Sequence, residues 1–308
     1  MTDARAGNPD AVIAAYPWLP TIDGVLAEVG LPVMHGKTLY VTSDYSGQHR
    51  ESRYFTSAVL LADLEECDEW ESRRRSVRAE HLSDGRRMAF KNLNDRQRQK
   101  ALAPFLCAAG SINGLLATVA VDKRIQWLIS APGFLEQMKQ SRRVVGKWSR
   151  QEFEYMARMA FFTSLFSSRV LRPGQDIIWI SDEDQAFANE ARKADAARLA
   201  GTFADIFFRV PVGALFMGTT DIDPGDRAED YAAIADILAG AVADVFTVAA
   251  ACSFWPGLGE IPEGTKPKSD FVLHWLMEAP KRLKHVLILF HQNPDGRLRV
   301  GRITFTRA

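Results

Sequence analysis

Three features of the sequence predict an α/β fold built on a mixed sheet. Segments of period-two alternation, rich in aromatic and β-branched residues, follow one another between residues 38 and 93. Beyond residue 94, short apolar runs alternate with longer stretches of helical periodicity. A last pair of alternating segments flanks the turn Asn293-Pro294-Asp295-Gly296. Sequential strands followed by strand–helix alternation imply a three-strand meander, then crossovers, with helices on the sheet faces.

Residues 1–37 read as an N-terminal extension. The first strand covers 38–44, with Leu39, Val41 and Ser43 alternating against Tyr40, Thr42 and Asp44, and Ser46-Gly47 turns the chain. A second strand covers 53–61, a charged helix 65–80, and a third strand 87–93. Asn94 with Gln97 has the spacing of a capping box, Leu102, Phe105, Leu106 and Ala109 form an apolar face, and Gly110 ends the helix. The nearly unbroken apolar run 115–121 suits a strand covered on both faces. Residues 123–148 read as irregular and basic, and Ser149 with Glu152 caps a helix reaching to about residue 170. A strand at 177–180, a helix at 185–208, a short strand at 214–217 and a helix from Asp226 to 251 follow. Pro and Gly make 256–270 a loop before the final hairpin. The organisation is therefore an extension (1–37), one α/β domain (38–255) with insertions at 62–85, 123–148 and 183–225, and a loop and C-terminal β-hairpin (256–308). That hairpin has two uses open to it: completing a sheet edge, or pairing with a second subunit in a homodimer.

The 308 residues are 47% hydrophobic and 25% charged, enough to bury a core without staples. Lys plus Arg and Asp plus Glu each total 38, which removes the simplest nucleic-acid signal, a strongly basic chain. Cys67, Cys107 and Cys252 are scattered and odd in number, so neither a disulfide framework nor a zinc knuckle is expected, and the compartment expected is the cytoplasm. The most apolar stretch, 241–255, is interrupted by Asp244 and falls short of the roughly 20 residues of a membrane span, so no membrane association is expected.

Phosphate-loop, dinucleotide-fingerprint, nucleophile-elbow and HExxH motifs are absent from the sequence. What stands out is a set of carboxylates at strand ends: Asp44, Asp122, and Asp182 with Glu183 and Asp184 behind it. On parallel neighbouring strands these would share the carboxyl edge of a sheet, where open α/β sheets place ligands. Carboxylates gathered there stay ionised together only around a cation, and hard oxygen ligands favour Mg2+ or Mn2+. Each also suits a turn or a helix cap. Asp236 lies off the apolar stripe of its helix (Tyr231, Ile234, Leu238, Val242, Val245), among Ala232, Ala233, Ala239 and Gly240. Tiny neighbours around a carboxylate point to another backbone or a ligand approaching closely. Charge is also segregated: residues 72–100 hold ten Lys or Arg against three acids, 139–150 hold five and none, and 182–244 hold five against thirteen. Basic segments near an acidic metal site suit a phosphodiester substrate; salt-bridged helix faces give the same pattern.

Asp44-Tyr45-Ser46-Gly47 resembles the Asp-Glu-Ser-Gly opening of the DUF3800 family, a group of ribonuclease H-like proteins. Val119 to Lys123 resembles that family's apolar strand ending in Asp-Lys, Ile180 to Glu183 its later strand ending in Asp, and Ile234 to Val242 its ADLIAGAV helix. The resemblance spans about residues 38–250 and implies a ribonuclease H-like mixed sheet with metal-binding carboxylates. Carried over, Asp44, Asp122 and Asp236 would be catalytic and, with Asp182, hold Mg2+ or Mn2+; Asp184, Ser46 and Lys123 would be accessory. Arg86, Arg87, Lys91, Arg142 and Arg143 are the candidates for nucleic-acid contact. The implied function is a metal-dependent nuclease or related phosphoryl-transfer enzyme. The family's usual Glu after the first Asp is Tyr45 here, and the helix after residue 94 carries a carboxylate, Asp95, only in its first turn. Those departures keep open a non-catalytic nucleic-acid-binding or scaffold protein on the same fold, and a hydrolase of small phosphorylated molecules.

Overall fold

The computed structural model describes residues 9–181, 189–220, 226–251, 259–278 and 282–305. Asp182 and Asp184 lie outside the described residues. Seven strands among these residues form one mixed sheet: β1 (Thr38–Ser46), β2 (Tyr54–Asp63), β3 (Gly114–Asp122), β4 (Asp176–Ser181), β5 (Leu215–Thr219), β6 (Leu283–Gln292) and β7 (Leu298–Arg302). Their order is β5-β4-β1-β2-β3-β6-β7. β2 runs antiparallel between β1 and β3; β4 and β5 extend the sheet parallel to β1, β6 lies parallel to β3, and β7 folds back on β6. The carboxyl ends of β1, β3, β4, β5 and β6 therefore share one edge.

The apolar run 115–121 forms β3, and all nine of its residues are buried, as the unbroken pattern requires. It also takes the place in the meander that the sequence assigns to 87–93. That expected strand is instead a loop with one 3-10 turn, Phe90–Asn92. Both edges of β2 are already occupied by β1 and β3, so a further strand has no partner there. The alternation within 87–93 has another origin: Met88 and Phe90 are buried while Arg87 and Lys91 are exposed.

Helices cover both faces. On one side lie α3 (Asp68–His81), α4 (Arg96–Ala109), α8 (Arg227–Ala251) and α9 (Pro267–Met277). On the other lie α2 (Leu19–Val29), α5 (Phe134–Gln140), α6 (Arg150–Val170) and α7 (Glu190–Phe207), with the short α1 (Pro9–Ala15) leading into α2. The Ser149–Glu152 capping box opens α6 as the spacing predicts: the Glu152 N–H donates to Ser149 Oγ (3.2 Å) and the Ser149 N–H to Glu152 Oε2 (2.9 Å). For α4 the cap is Asp95, one residue beyond the expected Asn94, accepting the N–H groups of Gln97 and Arg98 at 3.0 Å. The segment read as a bare extension contains α2, whose Leu19, Ile22, Val25 and Leu26 are buried along one helical face. The terminal hairpin takes the first of its two open uses, adding β6 and β7 to the sheet beside β3.

α8 is the central core helix. It is long and apolar enough to cross a bilayer, with a mean hydropathy of 1.8, yet 78% of that apolar window is buried inside the protein. Ala235 and Ala239 are wholly buried, and the helix lies close enough to β1 for the Thr42 hydroxyl to donate to the carbonyl of Tyr231 at 3.1 Å. Charge pairing locks α3 onto α8. Asp230, 1% exposed, meets Arg78 Nη2 at 2.6 Å and Arg74 Nη1 at 3.2 Å, and Arg74 also meets Asp226 at 2.6 Å. Burial pushes the Asp230 carboxyl up, against the pull of both guanidinium groups. Arg74, Arg78 and Arg87 of the basic segment 72–100 thus pair with Asp226, Asp230 and Glu229 of the acidic one.

Asp230→Ala should leave Arg78 buried without its main partner and cost about 3 kcal/mol in urea unfolding at neutral pH. Asp226 and Glu71 still hold Arg74 in that variant, which keeps the loss at the low end for a buried pair.

Candidate functional site

Period-two geometry divides β1 between the layers. Ser43 faces α6 and accepts from Trp179 Nε1 at 2.7 Å, whereas Thr42 and Asp44 face α8. Asp44 is 9% exposed and one of its oxygens accepts the Tyr45 N–H at 2.6 Å. Gly47 ends the strand at φ 80°, and any Cβ there would sit 2.1 Å from the Tyr54 carbonyl oxygen, so only glycine lets the chain turn so tightly over β2.

Asp44 and Asp236 line one cleft of about 550 Å3 at the carboxyl edge, together with Ser46, Arg87, Lys91 and Glu229. The small residues around Asp236 leave room for the Phe90 segment. The Phe90 N–H donates to Asp236 Oδ2 at 2.6 Å, its carbonyl accepts from Lys268 Nζ at 2.9 Å, and its ring lies against Gly240, where a Cβ would meet it at 2.2 Å. Ala232 and Ala233 complete the wall and open onto the cleft. Asp236 therefore both faces the cleft and fastens the segment that forms its far side.

Asp122 does not reach this cleft. Asp44 pairs with Ala58 across β2, whereas Asp122 pairs with Tyr54, four residues or roughly 13 Å further along the strands with β2 in between. Asp122 is fully buried and clamped by Arg53 Nε at 2.9 Å and Arg124 Nη2 at 2.7 Å, with His291 Nδ1 at 3.5 Å. Burial pushes its carboxyl up, but the hydrogen bond from Arg53, the Arg124 N–H and both guanidinium charges outweigh it and hold it below the usual carboxylate range. Asp122, expected in one ligand set with Asp44 and Asp236, lies outside the cleft that those two line and ties the β2, β3 and β6 ends together. Lys123 does not line the cleft either, but its Nζ donates at 2.7 Å to the carbonyl of His49, a cleft residue.

The basic candidates divide likewise. Arg87 lines the cleft, with Nη2 at 2.5 Å from Glu229, and Lys91 is exposed on the cleft wall. Arg86 is held outside it by Asp84 and Asp95. Arg142 and Arg143 are exposed in the layer of α5 and α6, across the sheet from the cleft. Among the described residues no group of three or more His, Cys, Asp and Glu gathers closely enough to hold a metal. Sequence reasoning missed Arg53, His291, Phe90 and Lys268. Only strand register brings the first two to Asp122, and only the packing of α8 and α9 brings the others to Asp236. Asp244 holds α9 through Lys266 and Ser269, both at 3.0 Å.

Because the folded Asp122 carboxyl is held low, its contribution is fully present above the unfolded value of about 3.9 and is lost as pH falls through the folded one. Asp122→Asn should cost about 2 kcal/mol at neutral pH, less than a fully buried pair because both arginines reach water, and should flatten the loss of stability below about pH 4. Chemical denaturation at a series of pH values measures both. Gly240→Ala should displace the Phe90 ring and cost about 1–3 kcal/mol by the same assay. Compared with known proteins, the chain matches no family model and no curated protein.

Proposed function

We propose that the protein is a divalent-metal-dependent nuclease or related phosphoryl-transfer enzyme of ribonuclease H-like type. The observation that carries this reading is the meeting of Asp44 and Asp236, from the first strand and a late helix, in one cleft with Arg87 and Lys91. The antiparallel set β1–β2–β3, with crossovers to β4 and β5 running parallel to β1, supports the ribonuclease H-like assignment, as do the sequence motifs that carry the resemblance to the DUF3800 family. The donor chemistry fits Mg2+ or Mn2+, since Mg2+ is commonly held by one or two carboxylates together with substrate phosphate oxygens. Asp44 and Asp236 would hold the ion, which supplies Lewis-acid polarisation of a phosphoryl oxygen and an activated water. Arg87 and Lys91 would grip flanking phosphates by charge, and the pinned Phe90 segment keeps Lys91 on the cleft wall.

A second reading, a nucleic-acid-binding or scaffold protein that does no chemistry, is favoured by the fate of Asp122, whose charge is spent on Arg53 and Arg124. Titrating Mg2+ and Mn2+ into EDTA-treated protein separates the two. A site filled to about 100 times its dissociation constant adds roughly 2.7 kcal/mol, seen as a rise of several degrees in melting temperature. Asp44→Asn and Asp236→Asn should each abolish that rise and any metal-dependent cleavage of oligonucleotides. The Asn side chain still accepts the neighbouring main-chain N–H, so the fold should persist. Cleavage retained in both variants overturns the enzyme reading; salt-sensitive oligonucleotide binding with no metal response supports the second.

A further inference from the structure

Around the same rim of the sheet lies a second pocket of about 280 Å3, lined by Lys123, Trp127, Arg150, Tyr155 and the buried pair Glu154–Arg158. Two contacts join it to the cleft. Tyr45, a cleft residue, has its ring 5.4 Å from Phe55, which stacks on Tyr155 at 4.1 Å and 11°. Lys123 Nζ donates to the carbonyl of His49, also a cleft residue, at 2.7 Å. The Lys123–His49 contact brings the pocket and the cleft next to each other at the β1–β2 end of the sheet, while the Tyr45–Phe55–Tyr155 link runs through the buried Phe55 ring.

The pocket is built around a clamped loop that carries Trp127. Glu154, 1% exposed, accepts the N–H groups of Leu128, Ile129 and Ser130 at 2.9, 3.2 and 2.9 Å, and the Ser130 hydroxyl as well. Arg158, 2% exposed, donates to Glu154 at 2.7 Å and to the Ile125 carbonyl at 2.8 Å. Burying an ion pair is costly, and the visible product of this one is a loop clamped on both sides of Trp127. Trp127 itself is only partly buried and has no ring or hydrogen-bond partner among the described residues. Arg158 neutralises Glu154, so the net charge the pocket presents comes from Lys123 and from Arg150, the latter shared with exposed Glu136 at 3.2 Å. An indole on a clamped loop, a second aromatic ring and cationic side chains are the elements by which proteins hold an unpaired base and its phosphate.

We infer that this pocket is a nucleotide subsite on the path of a single-stranded nucleic acid: a base stacks on Trp127 beside Tyr155, a flanking phosphate meets Lys123 and Arg150, and the strand continues into the Asp44–Asp236 cleft. The inference rests on the nucleic-acid reading of that cleft. A pocket this size admits one base and no duplex.

Fluorescence anisotropy with labelled oligothymidylate and oligouridylate of roughly twelve nucleotides, with Ca2+ replacing Mg2+, tests it. Trp127→Ala should weaken binding about tenfold, and Trp127→Phe should recover most of the loss. Lys123→Ala should lower the slope of log affinity against log salt by about 0.7, a change that mere loosening of the loop does not produce. Should Trp127→Ala fail to fold in a thermal melt, Trp127→Phe and Lys123→Ala carry the result. Wild-type binding that these substitutions leave unchanged, in strength and in slope, overturns the subsite and leaves the cleft reading standing. Equal affinity for a duplex of the same sequence also overturns the subsite. No binding of either oligomer by the wild type overturns both.

Discussion

The close approach of α8 to β1 and β2 governs the rest of this structure. Ala235 and Ala239 are wholly buried along the helix, and the Thr42 hydroxyl reaches the helix main chain at Tyr231. The register that follows puts Asp236 over the carboxyl end of β1, beside Asp44. It also leaves a notch at Gly240 that the Phe90 ring fills, so the 88–92 segment becomes a wall of the cleft. Larger residues at these positions would lift the helix, and the two carboxylates would no longer share one space. A tight apolar contact thus decides the geometry of a polar site.

Buried charge does complementary work elsewhere. Asp230 with Arg74 and Arg78 joins α3 to α8, Glu154 with Arg158 clamps the 125–130 loop, and Asp122 with Arg53 and Arg124 gathers the strand ends of β2, β3 and β6. Such groups lose hydration on folding, and each is compensated by several donors at once. Their main effect is to specify orientation: each joins elements far apart in sequence, or a loop to the helix beneath it. Asp44 and Asp236 differ in position, for they open onto the cleft and accept main-chain N–H groups at its mouth.

Much of the fold is legible in residue order, because its signals are local. The Ser149–Glu152 box, the apolar run of β3 and the Asn-Pro-Asp-Gly hairpin each depend on residues within a few positions of one another. The misplaced strand at 87–93 shows where such reasoning fails. Period-two alternation reports that every second side chain is buried, whether beneath a neighbouring strand or against a helix, and Met88 and Phe90 are buried here without strand partners. α2 is faint in the sequence because it is short and carries Gly24, a poor helix former, at its centre. The segregation of charge along the chain was legible, while its meaning was not: sequence order cannot distinguish a basic surface from a basic segment whose acidic partners lie about 150 residues away, as Asp226 and Asp230 do from Arg74 and Arg78.

By itself the sequence determines the α/β class, most of the elements, and two of the acids at the cleft. Asp44 follows a strongly alternating strand, and Asp236 sits among residues too small for an ordinary solvent face, both matters of neighbours along the chain. Tertiary structure alone decides which acids meet. Asp122 carries the same local signature as Asp44, an aspartate closing an apolar strand, yet strand register sets it beyond Asp44 and into the reach of Arg53, Arg124 and His291. The physical reason is that a carboxylate's role depends on what neutralises it, and in this protein the neutralising groups arrive through pairings between strands, which no local pattern encodes.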